Sequence, residues 1–388
     1  MALYEQDAMW IEIDLDSLAH NYRLTQKLAG YKKLMPIIKA DAYGHGSVMI
    51  ARACLGEGAE IFAVSTAAEA ITLRDAGIDT PILVLGVVSA ARVEELAARN
   101  VTLTVPGPEI AERYASACGS RPLGVQLKVN TGMNRLGFFT SDNLEAIMAA
   151  ARNPAFSLQG IFTHLAATGD PELDDFTRGQ HGDFLRVLGE LAGRGINPRF
   201  IHCANSDGIM RFPEFCGNLT RPGLLLYGYA SPSPKKPPLK PVASVRTRVS
   251  QVKWVEEGQR VGYSCAWTAP RRTLVATVAA GYADGIMRGG SGRMQMIIRG
   301  RRVPQIGNIC MDMCMLDVSA VPGAESGDVV TIVGTDGAET IGMDEMAKAA
   351  GTITYEPMTL LSYRSPRYYL KGGQVVAVMH RSGGYSEI

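Results

Sequence analysis

Short apolar runs recur through the first 230 or so residues of the chain. They are LMPIIKA from 34, IFAVST from 61, PILVLG from 81, VTLTV from 101, GVQLKVN from 124, LQGIFTHL from 158, FIHCAN from 200 and NLTRPGLLLYG from 218. Between them lie Ala-, Leu- and Arg-rich stretches, such as AARVEELAARN, with the 3.6-residue repeat of an amphipathic helix. Near-continuous apolar strands alternating with helices predict a parallel sheet covered on both faces. Eight such units predict a closed (β/α)8 barrel of the TIM type, which usually takes about 250 residues. An open doubly wound sheet is the competing layout. The count of eight and the lack of GxGxxG after the first run argue against it.

The rhythm changes after ASPSPKKPPLKP, residues 230–241, which holds five prolines. Proline fixes φ and removes backbone donors, so this stretch reads as a semi-rigid connector. Beyond it, VASVRTRVSQVKWV, RRTLVATVAAGYADG, RMQMIIRGRRVPQIGNICMDMCMLDV and DVVTIVG alternate apolar with polar positions. That period of two predicts a mainly antiparallel β domain, with one helix near IGMDEMAKAAG. The expected division is an α/β barrel domain over 1–240 and a mainly β domain over 241–388. The first run of the chain, MWIEIDL, suits a strand of either domain.

Composition changes this picture little. With 388 residues there is room for two cores, and a net charge of +1 gives no concentrated basic field for nucleic acid or an anionic membrane. The start of the chain carries Glu5 and no basic region before an apolar stretch, so no signal peptide is expected and a cytoplasmic location is. Seven scattered cysteines form no CxxC pair and no Cys/His cluster at zinc spacing. Reduced thiols and no metal site are expected.

Active sites of this barrel lie at the C-terminal ends of the strands. Lys39 follows the first run, and Lys128 and Arg135 lie in and after the fifth. Thr163 and His164 end the sixth, Asn205 and Ser206 the seventh, and Arg221, Pro222 and Gly223 the eighth. A lysine at a strand end most often snorkels to solvent. Among other cations and apolar walls, however, its pKa falls and the amine becomes a nucleophile toward an aldehyde. An imine with pyridoxal phosphate (PLP) is the common outcome in amino-acid chemistry. Ser206 opens a helix whose free N–H groups suit a phosphate, although a plain N-cap serine is the ordinary alternative. The Arg221-Pro222-Gly223-Leu224 turn adds backbone donors.

IIKADAYGHG strongly resembles the alanine racemases. NTGMNRLGF, FTHLA, HCANSDG, TRPGLLLYG, VGYSCAWTA, AAGYADG and ICMDM resemble further segments in the family's order, from about Trp10 to Arg367. The resemblance implies a PLP-binding barrel and a β domain, paired as a homodimer with shared active sites. It implies that Lys39 is the Schiff-base lysine and the base for the D-enantiomer. Tyr263 of the partner subunit is then the base for the L-enantiomer. Two bases are needed because racemisation takes the Cα proton from one face and returns one to the other.

The resemblance further implies a hydrogen-bond chain from Tyr263 through His164 to Arg221, with His202 behind it. His202 reads equally well as a satisfied core histidine. Arg221 would face the pyridine nitrogen of PLP and, unable to accept its proton, keep that nitrogen neutral. Asn205, Ser206, Gly223 and Leu224, with Tyr43 and Tyr355, would hold the cofactor. Arg135 and the backbone N–H of Met311 of the partner subunit would bind the substrate carboxylate. Lys128 resembles a position that can be carbamylated, Asp312 is a supporting residue, and Tyr282 and Arg288 would line the entrance. Ser264 and Asn130 depart from the family's more usual glycine and aspartate. The implied reaction is interconversion of L- and D-alanine, supplying peptidoglycan. A serine or broader-specificity racemase, an amino-acid decarboxylase on the same plan and a non-catalytic PLP carrier are the alternatives.

Overall fold

Each of the eight apolar runs contributes a parallel strand, although most strands are shorter than the runs. The computed structural model describes residues 6–139, 144–231, 237–380 and 384–387. Glu5 and residues 232–236 of the proline-rich connector lie outside them. The strands are β1 (Lys33–Leu34), β2 (Phe62–Val64), β3 (Ile82–Val84), β4 (Val101–Val105), β5 (Leu123–Asn130), β6 (Phe156–Phe162), β7 (Phe200–His202) and β8 (Leu219–Thr220). Neighbours pair in parallel from β2 through β7. A single bridge, Ile37 to Ala63, joins the segment after β1 to β2. Arg221 N–H to Ala204 O (3.0 Å) joins the segments after β8 and β7, and β8 pairs with β1. The ring of strands therefore closes. β2, β3 and most of β5 are buried at every position, as strands covered on both faces must be.

The eighth run is the main departure from simple periodicity. Only Leu219–Thr220 is strand; after Arg-Pro-Gly the chain winds into a 3-10 turn, Leu224–Tyr227, which is fully buried. An apolar run of this kind cannot be told from a buried helical turn by period alone.

The chain divides into two compact units. One comprises Leu18–Ala42 and Ser47–Leu239 and holds the barrel. The other comprises Met1–Ser17, Tyr43–Gly46 and Lys240–Ile388 and is built on an eleven-stranded sheet. In that sheet the strand Met9–Asp14 lies between Ala243–Val255, antiparallel to it, and Arg367–Lys371, parallel to it. Residues 243–249 alternate buried with half-buried, which matches ASVRTRV one residue at a time. The helix Met343–Ala350 falls within the predicted segment. A second helix, Tyr355–Thr359, was not predicted; it is five residues long and contains Pro357, too short for a periodic signal. No helix among the described residues is long and apolar enough to cross a membrane.

One local feature is unusual. Ala40, Asp41, Ala42 and Tyr43 have φ of 50, 52, 53 and 55°, and Gly44 follows at 80°. This is a left-handed turn built largely from L-residues with Cβ atoms, at about 1–2 kcal/mol each. Surrounding bonds hold it. Ala42 N–H donates to Ile38 O (2.9 Å), and Ala40 N–H donates to Glu69 Oε1 (2.6 Å). Ser47 N–H donates to Asp41 Oδ1 (2.7 Å). Within the second unit, the buried Arg367 donates from Nε to Gly44 O (2.8 Å), and Tyr369 Oη–H donates to His45 O (3.1 Å). A Cβ at Gly44 would sit 2.2 Å from Met358 O, so this position excludes any side chain.

Ala40 is exposed, so replacing it with glycine removes strain without removing packing. Ala40→Gly is expected to gain about 1 kcal/mol in urea unfolding. The same change at exposed Ala149, inside the right-handed helix Leu144–Ala151, is expected to cost about 1 kcal/mol. A loss at both positions would contradict the left-handed turn.

Candidate active site

Alternation along β5 places Gln126, Lys128 and Asn130 on one face of that strand, all buried. Lys128, Phe162 on β6, His202 on β7 and Arg221 after β8 meet there. The imidazole of His202 stacks on the Phe162 ring at 4.9 Å and 11°. Lys128 Nζ and Arg221 Cζ lie 5.4 and 5.5 Å from the same ring, close enough for cation–π attraction.

Arg221 is the hub. It is 3% exposed, and no carboxylate pairs with it among the described residues. Its Nη1 donates to His202 Nδ1 (2.5 Å). Its Nη2 lies 2.8 Å from Thr163 O, 2.8 Å from Cys203 O and 3.0 Å from His164 Nδ1. Burial pulls the guanidinium down to about 10, so it stays charged at neutral pH. An arginine only donates, so both imidazole nitrogens facing it must be acceptors. Burial first and Arg221 second hold His164 and His202 well below the usual histidine range. Both are neutral at pH 7. His202 is thus bonded to Arg221 as directly as His164 is, rather than standing behind it.

Lys39 follows the Ile37 bridge, half-buried, at the start of the left-handed turn. Burial and then Arg135 lower its amine, and Glu69 opposes them. Glu69 also shapes the site. Its Oε2 accepts from Ser65 N–H (2.7 Å) and Thr66 N–H (3.0 Å), while its Oε1 accepts from Ala40 N–H. One carboxylate therefore fixes the turn bearing Lys39 to the end of β2. Sequence reasoning missed Glu69, although Thr66-Ala-Ala-Glu69 carries the signature of a capping box and the structure forms one.

Lys128 Nζ donates to Val129 O (3.0 Å). Burial, then Arg221, then Arg135 lower its amine to about 7. By shedding its proton this lysine can sit beside an arginine without repelling it. Arg135 itself is exposed and has no ion pair among the described residues. Its loop is pinned by Asn130, whose Oδ1 accepts from Gly132 N–H (3.2 Å) and Asn134 N–H (2.9 Å). The loop after His164 is pinned by Gln180, whose Oε1 accepts from Ala166 N–H (2.9 Å).

Asn205, rather than Ser206, is the N-cap of the turn Ser206–Arg211; its Oδ1 accepts from Gly208 N–H (2.9 Å). Ser206 Oγ accepts from Gly223 N–H (3.0 Å) and Leu225 N–H (3.3 Å), which leaves its hydroxyl proton to donate elsewhere. Leu224 N–H heads its 3-10 turn and has no acceptor within it.

The remaining candidates belong to the second unit. Tyr43 is buried with its ring centroid 5.9 Å from that of Tyr355, and burial and Tyr355 raise its phenol. Tyr263 is 71% exposed on the turn Tyr263–Cys265, and Met311 is 53% exposed. Ser264 has φ of 57°, in the region glycine favours, so the serine carries strain there. Asp312 pairs with Arg364 (2.9 Å). Tyr282 and Arg288 line one cavity of about 250 Å³ with Met287 and Leu360.

Comparisons with known proteins agree across both units. Residues 13–231 match the family profile described as "Alanine racemase, N-terminal domain", and residues 242–369 match "Alanine racemase, C-terminal domain". The alanine racemase of Carboxydothermus hydrogenoformans is 40% identical over 93% of this chain and 99% of its own length. That of Sorangium cellulosum is 40% identical over 92% and 98%. The Bacillus anthracis alanine racemase, solved with bound L-Ala-P, superposes with a TM-score of 0.89 at 33% identity. It covers 96% of this chain and 97% of its own. The Clostridium difficile 630 alanine racemase gives 0.91 at 30% identity, over 97% and 99%.

The Lys128 amine generates a pH prediction. Its pKa is about 7 in the folded chain against an ordinary 10.5, so the folded state binds fewer protons between those values. Stability from this group therefore rises with pH across that window, and the cost of burying the charge is fully present below it. Lys128→Met removes the charge. Its stability relative to the parent, from urea unfolding, should be greatest below pH 7 and decline toward pH 10. A pH-independent difference would contradict the assignment.

Proposed function

The chain belongs to the alanine racemase family of PLP-dependent isomerases, and on that premise we propose that it interconverts L- and D-alanine between two bases, Lys39 and Tyr263 of the partner subunit. The observation that carries the reading is charge. The barrel unit brings the arginines Arg135 and Arg221 within electrostatic reach of the lysines Lys39 and Lys128, whose own amines are lowered, with Glu69 as the acid bearing on Lys39. A cationic site of this kind suits two anions, a phosphate and a substrate carboxylate.

The residues present fit PLP. Lys39 supplies an amine of lowered pKa for the cofactor's aldehyde. Arg221 commits Nη1 and Nη2 and leaves its Nε–H unengaged, a donor suited to a neutral pyridine nitrogen. The Ser206 hydroxyl proton and the Leu224 N–H are open to a phosphate, and Asn205, Gly223, Tyr43 and Tyr355 would complete that end. When bound, PLP supplies an electron sink for the pair left at Cα as its proton departs. Arg221, which accepts no proton, would leave the facing pyridine nitrogen unprotonated and so favour return of the Cα proton over competing reactions.

Lys39 and Tyr263 would each hold or accept the Cα proton, one on each face of the substrate. Arg135, as a fork of donors, would grip the carboxylate together with the Met311 N–H of the partner subunit. With the Lys128 amine free, the rise of stability with pH applies; carbamylation would replace that amine with an anion that orients Arg135, and would remove that pH dependence. Asp312 supports Met311 through its ion pair to Arg364. His164 and His202 would keep Arg221 in place. The exposure of Tyr263 and Met311 supports a face covered by a second copy of the chain. Tyr282, Tyr355 and Arg288 would narrow the entrance, favouring alanine over larger amino acids. A cytoplasmic supply of D-alanine for peptidoglycan follows as the biological role.

Lys39→Ala should abolish the visible absorbance of the loaded enzyme; retained absorbance and activity would refute the cofactor assignment. Tyr263→Phe should keep PLP bound while lowering kcat about 10²–10⁴-fold. Mixing the two inactive variants should restore activity through hybrid dimers that hold one intact site. No restoration despite proven subunit exchange would refute the shared site. Chiral product analysis with L-alanine, L-serine and L-lysine should show alanine preferred.

A further inference from the structure

One buried side chain in the barrel, Gln126, has no part in the chemistry above. His202 Nε2 lies 2.7 Å from Gln126 Oε1, and both residues are fully buried. The bond follows from Arg221. A guanidinium has no lone pair to offer, so His202 Nδ1, 2.5 Å from Arg221 Nη1, must be the bare acceptor nitrogen. The imidazole proton is then on Nε2 and needs an acceptor of its own. Gln126 must present its oxygen there, which turns its amide NH2 away. That group, Gln126 Nε2, is buried without a hydrogen-bond partner. An unsatisfied buried donor costs about 1–3 kcal/mol; the amide leaves its own NH2 orphaned while accepting from His202 Nε2, a proton that an apolar side chain would orphan instead.

A Cβ on Gly160 would lie 2.8 Å from Phe200 O, 2.9 Å from Phe200 Cβ and 3.0 Å from Gln126 Cδ, so Gln126 and Phe200 both pack closely on a bare glycine. Phe162 covers one face of the His202 ring by stacking. The charged and titratable groups bearing on His202 are Arg221, Lys128 and His164, with no carboxylate among them.

We propose that Gln126 is a positioning residue for the racemase reaction: its amide oxygen locks His202 in the Nε2–H form, and that form supplies the acceptor that aims Arg221. This rests on the reading that Arg221 governs the cofactor ring. A carboxylate at 126 would draw a second proton onto His202. The resulting imidazolium has two donors and no acceptor, and would push Arg221 away. An apolar residue at 126 would strand the Nε2 proton and favour its transfer to Nδ1, against the arginine.

The test is nitrogen-15 NMR of histidine-labelled holoenzyme, with kinetics beside it. The wild-type spectrum should show Nδ1 of His202 bare and Nε2 protonated, unchanged between pH 6 and 9. Gln126→Glu should protonate His202 fully, and both it and Gln126→Leu should lower kcat for alanine about 10–100-fold. KM should change by less than about threefold, because the lost interaction does not touch substrate. Gln126→His, whose ring nitrogen can accept from Nε2–H, should restore most of kcat. A proton on Nδ1 in the wild-type protein overturns the proposal without any variant having to fold. So does a Gln126→Leu enzyme with wild-type kcat. If the wild-type protein does not racemise alanine, the functional reading fails separately, and the tautomer in the same spectrum still decides this one.

Discussion

The Arg221 guanidinium is buried in the barrel, and no acid answers its charge among the described residues. It is held by two backbone carbonyls and two imidazoles, contributed by the ends of β6 and β7. Because arginine only donates, each of these groups must accept, and that requirement reaches outward through the site. Both histidines have to be neutral. His202 has to carry its proton on the far nitrogen. Lys128, on the same aromatic ring as Arg221, is held near neutrality by burial and by that charge. Burial and then Arg135 pull Lys39 down, and Arg135 itself has no ion pair among the described residues.

The fold meets this electrostatic demand with backbone geometry. A left-handed turn of non-glycine residues carries Lys39, and such a turn persists only when its surroundings over-determine it. Glu69 and Asp41 supply the clamps. Much of the polar chemistry around the barrel mouth therefore holds backbone in place rather than touching a ligand. Asn130 and Gln180 do the same for the loops after β5 and β6.

Much of the architecture was legible in the sequence because it is periodic. Eight apolar runs and a later alternation of two are strong signals, and the barrel and the β-rich unit follow from them. The eighth run misled, since Leu224–Tyr227 is as apolar as a strand and only its 3-10 turn distinguishes it. The left-handed turn left no trace: Ala-Asp-Ala-Tyr has no preference for positive φ, and only Gly44 and Gly46 hinted at it. Lys39, Lys128, Arg135, His164, Ser206 and Arg221 were visible as polar residues at strand ends, and the barrel unit contains them all. The direct bond of His202 to Arg221, and that of Gln126 to His202, were not visible. They depend on which strands lie side by side, a long-range fact that no local pattern carries. Tyr263 and Met311 were singled out only through resemblance, since an exposed tyrosine or methionine has no chemical signature of its own.

The central claim is that a proton leaves one face of alanine and a different proton arrives on the other. It is tested most directly with L-alanine deuterated at Cα, converted briefly in ordinary water. The products are then separated by chirality and weighed by mass spectrometry. The account predicts D-alanine carrying hydrogen at Cα, while the remaining L-alanine keeps its deuterium. D-alanine that retains most of the substrate's deuterium would mean a single base passing the same proton across, and would contradict it.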